Sequence, residues 1–105
     1  MHIHYFFEYV GHFTYHRTPL HAASMQGHVE VVRALISAGA GVDKADGYHR
    51  TPLHAASMQG HVEVVRALIS AGAGVDKADG YHRTPLHAAS MQGHVEVVRA
   101  LISAG

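Results

Sequence analysis

Apolar positions in the middle of the chain fall into two short helical blocks separated by a glycine. Thr51-Pro52 reads as a helix start. A threonine hydroxyl caps free backbone N–H groups, and a proline at the first helical position gives up an N–H that has no partner there anyway. Leu53 to Gln59 carry this helix for about two turns, and Gly60 ends it. Val62, Val65, Leu68 and Ile69 then recur at helical spacing and predict a second helix from about Val62 to Ala71, stopped by Gly72. The stretch from Ala73 to Arg83 is polar and rich in Gly and Asp, so it predicts an extended turn.

This pattern is one unit of a repeat. Residues 17–49 read RTPLHAASMQGHVEVVRALISAGAGVDKADGYH; residues 50–82 repeat that string letter for letter, and residues 83–105 repeat its first 23 letters. Two short helices and a turn leave their apolar faces open when alone, and stacking against a neighbouring unit closes them. The chain therefore divides into a non-repeat segment, 1–16, then units 17–49 and 50–82 and a partial unit 83–105, all in one solenoid. Natural duplications drift, so identity without one substitution points to an engineered chain ahead of a very recent duplication.

The motif TPLHAA at Thr51–Ala56, the pair Gly60-His61, EVV at Glu63–Val65 and GAGVD at Gly72–Asp76 recur at a 33-residue period. In order and spacing they resemble the ankyrin repeat family, and the identical copies look most like its consensus-based, designed members. The resemblance implies an all-α helix-turn-helix solenoid with protruding turns. It also implies a scaffold that binds a protein partner through the turn tips and the exposed edge of each first helix. In the middle of this chain those positions are Ala45, Gly47, Tyr48, Arg50, Met58 and Gln59. Their equivalents are Tyr15, Arg17, Met25 and Gln26 on one side, and Ala78, Gly80, Tyr81, Arg83, Met91 and Gln92 on the other. Tyr and Arg are the types most enriched at interface hot spots, and Met adds adaptable apolar surface. The plainer alternative is a scaffold face on which Tyr48 packs against the neighbouring turn and Arg50 is simply solvated.

Three positions depart from the family pattern. Ala55 stands where Leu is usual, which removes core volume; Gly74 replaces a common Asp; and His49 occupies a turn position where Gly is typical, so a left-handed backbone is expected there. These changes bear on stability more than on fold. The resemblance also gives His21, His54 and His87 a structural role, hydrogen-bonding adjacent turns, and His28, His61 and His94 read as structural too. Zinc needs three or four ligands converging at about 2.0–2.1 Å, whereas stacked units lie about 8–10 Å apart, so equivalent histidines are poorly placed to share an ion. No metal and no cofactor is expected in the repeats.

Eight basic and eight acidic side chains cancel, which argues against nucleic acid as a partner. No apolar run approaches the roughly 20 residues of a membrane helix, the amino terminus lacks the basic region of a secretory signal, and the absence of cysteine is compatible with a reducing compartment such as the cytoplasm. The 12 histidines predict a loss of stability below about pH 6. Catalysis finds no support: there is no nucleophile elbow, phosphate loop or dinucleotide fingerprint. Ser57 and His61 lack an orienting carboxylate, and Glu63 with Arg66 reads as a solvated pair.

Residues 1–15 hold six of the eight aromatic side chains. Ile3, Phe6, Phe7 and Val10 follow helical spacing, whereas Ile3, Tyr5, Phe7 and Tyr9 alternate as in a strand; the need to cover the first unit favours a helix acting as an improvised cap. The alternatives are a recognition peptide, or a transition-metal site built on His2 and His4 with His12 or His16. At the other end Ser103-Ala104-Gly105 follows an internal-type second helix with no polar capping unit. An apolar face left open there makes self-assembly, as a dimer or an end-to-end stack through the last unit, the rival function.

Overall fold

The computed structural model describes residues 16–105. The expectations of a cap, a helix or strand, a recognition peptide and a metal site at His2, His4 and His12 lie outside the described residues, as does Tyr15.

Among the described residues there are six helices and no strand: α1 (Pro19–Gln26), α2 (Val29–Ser37), α3 (Pro52–Gln59), α4 (Val62–Ser70), α5 (Pro85–Gln92) and α6 (Val95–Ala104). Each repeat contributes one pair, as the sequence pattern requires. The first helix of every pair begins where the threonine hydroxyl accepts the N–H of the histidine three residues on: Thr18 from His21, Thr51 from His54 and Thr84 from His87. It ends at a left-handed glycine, with φ of 76° at Gly27, 79° at Gly60 and 74° at Gly93. The following histidine N–H then reaches back to the helix, His28 to the Ala23 carbonyl and His61 to that of Ala56, each at 3.0 Å, which satisfies groups the helix end would leave bare.

The first helices α1, α3 and α5 stack in one layer and the second helices α2, α4 and α6 in another. Buried Leu20, Leu53, Ala56, Val65, Leu68, Ala89 and Leu101 form one continuous core between them. No unit holds this core alone, which is the physical reason for the stack.

Ser24 and Ser57 are wholly buried on the first helices, and neither hydroxyl has a hydrogen-bond partner. A buried hydroxyl without a partner costs about 1–3 kcal/mol. Ser57→Ala is therefore expected to stabilise the chain by about 1 kcal/mol, raising Tm by about 4–8 °C. Thermal melts of the two proteins check it, and a lower Tm in the variant would show that the hydroxyl has a role here.

Candidate functional site

Each turn tip is built around an aspartate. Asp46 Oδ1 accepts the N–H groups of Tyr48 at 2.8 Å and Arg50 at 2.9 Å, while its own N–H donates to the Arg50 carbonyl at 2.9 Å. Asp79 does the same with Tyr81 and Arg83. Burial pushes the Asp79 carboxyl up, but the N–H groups of Arg83 and Tyr81, with His54 and Arg50 nearby, outweigh it and hold its pKa below the usual carboxylate value. Closing the tip this tightly forces His49 to φ 64° and His82 to φ 66°, the left-handed backbone expected at that position. Sequence reasoning passed over the two aspartates as organisers of the tips. The available signal was an Asp two residues before Tyr and four before Arg, the spacing of a side chain that accepts from its own turn.

The tips also reach one another. Arg17 Nε lies 4.0 Å from Asp46 Oδ2, and Arg50 Nε lies 3.7 Å from Asp79 Oδ2, so each arginine leans on the aspartate of the following tip. Gly80 N–H donates to the Tyr48 carbonyl at 2.8 Å. A Cβ there would approach that carbonyl to 3.2 Å, so a side chain would press the two tips apart. Arg50 sits over the Tyr48 ring at 5.5 Å from its centroid, and Arg83 over Tyr81 at 5.3 Å. Tyr81 is 62% exposed and Tyr48 is half-buried.

Two pockets lie between the tips and the first helices. One of 30 Å³ is lined by Arg17, His21, Met25, Asp46, Arg50, Ala55, Met58 and Gln59. The next, of 170 Å³, is lined by Arg50, His54, Met58, Asp79, Arg83, Ala88, Met91 and Gln92. The structure thus brings together Arg17, Met25, Arg50, Met58, Gln59, Arg83, Met91 and Gln92 from the predicted set. Gln26, Ala45, Gly47, Ala78 and Gly80 are exposed beside this row without lining either pocket. Ala55 was expected to leave a deficit in the core. It is buried among the apolar core residues, and with Ala88 it also borders these pockets.

Histidines hold the units to one another. His21 Nε2 donates to the Arg50 carbonyl at 2.8 Å and His54 Nε2 to that of Arg83 at 2.9 Å. Their Nδ1 atoms accept the N–H of Thr18 at 3.1 Å and Thr51 at 3.0 Å, which fixes the neutral tautomer. In the opposite direction His61 Nε2 donates to the Met25 carbonyl and His94 Nε2 to that of Met58, both at 3.0 Å. Among the described residues no group of three or more His, Asp or Glu side chains is placed to hold a metal ion. The Ser57–His61 pair is not assembled either, since Ser57 is fully buried and His61 is engaged with Met25.

Burial pulls the His54 pKa below its ordinary 6.5, opposed in part by the Arg83 carbonyl and by Asp79. A depressed folded-state value means that the unfolded chain takes up the proton first. His54 thus contributes stability that is complete above about pH 6.5 and is lost as pH falls through the folded value. Asp79, also depressed, contributes stability that persists above its unfolded value and is lost only in stronger acid. The urea midpoint is expected to fall between pH 7.5 and pH 5.5, and to fall less in His54→Gln. Parallel pH dependence in the two proteins would remove His54 as a cause.

With this geometry in place, comparison with known families is direct. The family model described as ankyrin repeats in three copies matches residues 3–79 and again residues 36–105. A comparison with curated protein sequences gives no match. Among the described residues no helix is long and apolar enough to cross a membrane.

Proposed function

The chain belongs to the ankyrin repeat family, and from that premise we propose that it is an engineered scaffold that binds a protein partner along its turn tips and first helices. Ankyrin repeats generally mediate protein–protein contact, and the family is typically non-enzymatic. The engineered origin is supported by units identical to the letter. The observation that carries the binding surface is the row of pockets walled by arginine and methionine, with a Tyr–Arg pair standing at each of two tips. Rigid tips limit the ordering cost of binding, because Asp46 and Asp79 have already fixed the backbone that carries the tyrosines.

A protein partner selected against the immobilised chain from a display library is expected to lose affinity for Tyr48→Ala/Tyr81→Ala. Two hot-spot tyrosines contribute about 2 kcal/mol or more between them, or about 30-fold in Kd. Helical circular dichroism should be unchanged, because the tyrosine side chains are not part of the core cluster. Unaltered affinity across independently selected partners would move the binding surface elsewhere.

A further inference from the structure

Left-handed backbone suits glycine, and a residue with a side chain is strained there. Among the described residues the non-glycine positions with positive φ are all histidine and all fall at one place in the repeat: His16 at 54°, His49 at 64° and His82 at 66°. The rings return little of that cost to the chain. His49 and His82 are exposed, and among the described residues neither ring makes a hydrogen bond or an ion pair. The His49 ring stands beside Gly80 of the following tip, 3.6 Å from where a Cβ would lie, and so takes its place in the row of tips. Backbone strain that a fold does not recover internally points to a contact made outward. The tips also sort their polar groups by direction. Asp46 and Asp79 turn inward: each side chain is only 3% exposed, with Oδ1 accepting two N–H groups and Oδ2 facing an arginine. Asp43 accepts the Gly74 N–H at 3.0 Å, and Asp76 is exposed. Outward stand Lys44, Lys77, His49, His82 and the open side of Arg50, whose side chain is 27% exposed. The glutamates lie elsewhere: Glu30, Glu63 and Glu96 sit on the second helices, each paired with an arginine of its own helix. A formal net charge of zero thus conceals a tip row that presents donors and withholds most of its acceptors.

We propose that the partner segment lying on this row is acidic and that His49 and His82 meet its carboxylates, which makes binding tighter in mild acid. This inference rests on the tip surface proposed above. Around His49 the charged groups are Asp46 and Arg50 on its own tip, Asp79 and Arg83 on the following one, and Arg17 beside Asp46. Aspartate and arginine keep their charge between pH 7.5 and pH 6, whereas imidazole gains one over that range. His21 and His54 are buried and bonded to backbone, so they do not face the partner. The change of charge on the tip row therefore belongs to its exposed histidines.

Two display libraries of linear peptides, one rich in Asp and Glu and one lacking both, are panned on the full 105-residue chain. Binders are expected from the acidic library, with Kd tightening about fivefold from pH 7.5 to pH 6, the gain of two exposed ion pairs. His49→Gly/His82→Gly is expected to remove most of that tightening while Tm stays at or above the parent's, because glycine relieves the backbone. The variant keeps His21 and His54, so pH effects on the fold itself are common to both proteins. Tyr48→Ala/Tyr81→Ala should weaken the same binders alike at both pH values, which marks them as tip binders. Binders that need the tyrosines but not the histidines overturn the proposal and leave the tip surface standing; binders indifferent to both pairs overturn both. The proposal also fails if the library without acids yields binders equally well, or if the acidic library yields none. A lower Tm in the glycine variant, or an oligothymidine strand bound as tightly as the peptides, would overturn it too.

Discussion

His54→Ala is expected to destabilise the chain by about 3–5 kcal/mol, and His87→Ala by no more than about 0.5 kcal/mol, although both residues occupy the same place in identical repeats. His54 is 1% exposed and ties together the Thr51 N–H of its own unit and the Arg83 carbonyl of the next. Removing the ring strands both backbone groups in the interior, at about 1–3 kcal/mol each, and leaves a void besides. His87 is exposed, and its ring makes neither bond; only its backbone N–H is engaged, by Thr84 at 3.3 Å. Against a total stability of about 5–15 kcal/mol, the first loss is a large share and the second is minor. Urea unfolding followed by circular dichroism separates them. Because His54 joins the second unit to the third, amide exchange should also rise first in α5 and α6. Equal losses in the two variants would mean that the imidazole acts within its unit and not across the junction.

That contrast also shows where sequence reasoning stops. The 33-residue period, the helix pairs, the Thr-Pro starts and the Gly stops were all legible, because each depends on residues within a few positions of one another. The second helix runs to Ser70, one residue short of the expected end. The left-handed backbone at His49 was legible for the same local reason. What a repeated string cannot display is the difference between its copies. Leu53 and Leu86 are the same letter in the same motif, yet one is buried and the other is 37% exposed, because burial is decided by the neighbour. The candidate surface was partly legible. Arg50, Met58 and Gln59 were carried over from a family pattern, but the pocket they share is also lined by Arg17, His21 and Asp46, brought there by the stacking of one unit on the next. Asp46 and Asp79 were read as turn composition, since their role depends on the chain folding back to present two N–H groups to one oxygen.

Gly60→Ala is expected to cost about 3–4 kcal/mol, and Gly93→Ala about 1–2 kcal/mol, again at equivalent positions in identical units. Both glycines end a first helix with left-handed backbone, φ 79° and 74°, so an L-residue at either position incurs the same intrinsic penalty of about 1–2 kcal/mol. The neighbours differ. A Cβ on Gly60 would lie 2.6 Å from His94 Nδ1 and 2.7 Å from Cε1, whereas one on Gly93 meets nothing within 4 Å. The His94 ring has little freedom to retreat, because its Nε2 is held by the Met58 carbonyl at 3.0 Å. Relief of the clash breaks that bond and strands the carbonyl, adding about 1–3 kcal/mol. Gly27 faces His61 at the same 2.6 Å, so Gly27→Ala should behave like Gly60→Ala. Backbone strain alone would make all three substitutions equal, and that equality in urea midpoints would refute histidine contact as the reason the glycine is required. Unequal losses in the stated order would show that this glycine serves the neighbouring unit as well as its own helix. The junction would then depend on a missing side chain as much as on the imidazole packed against it.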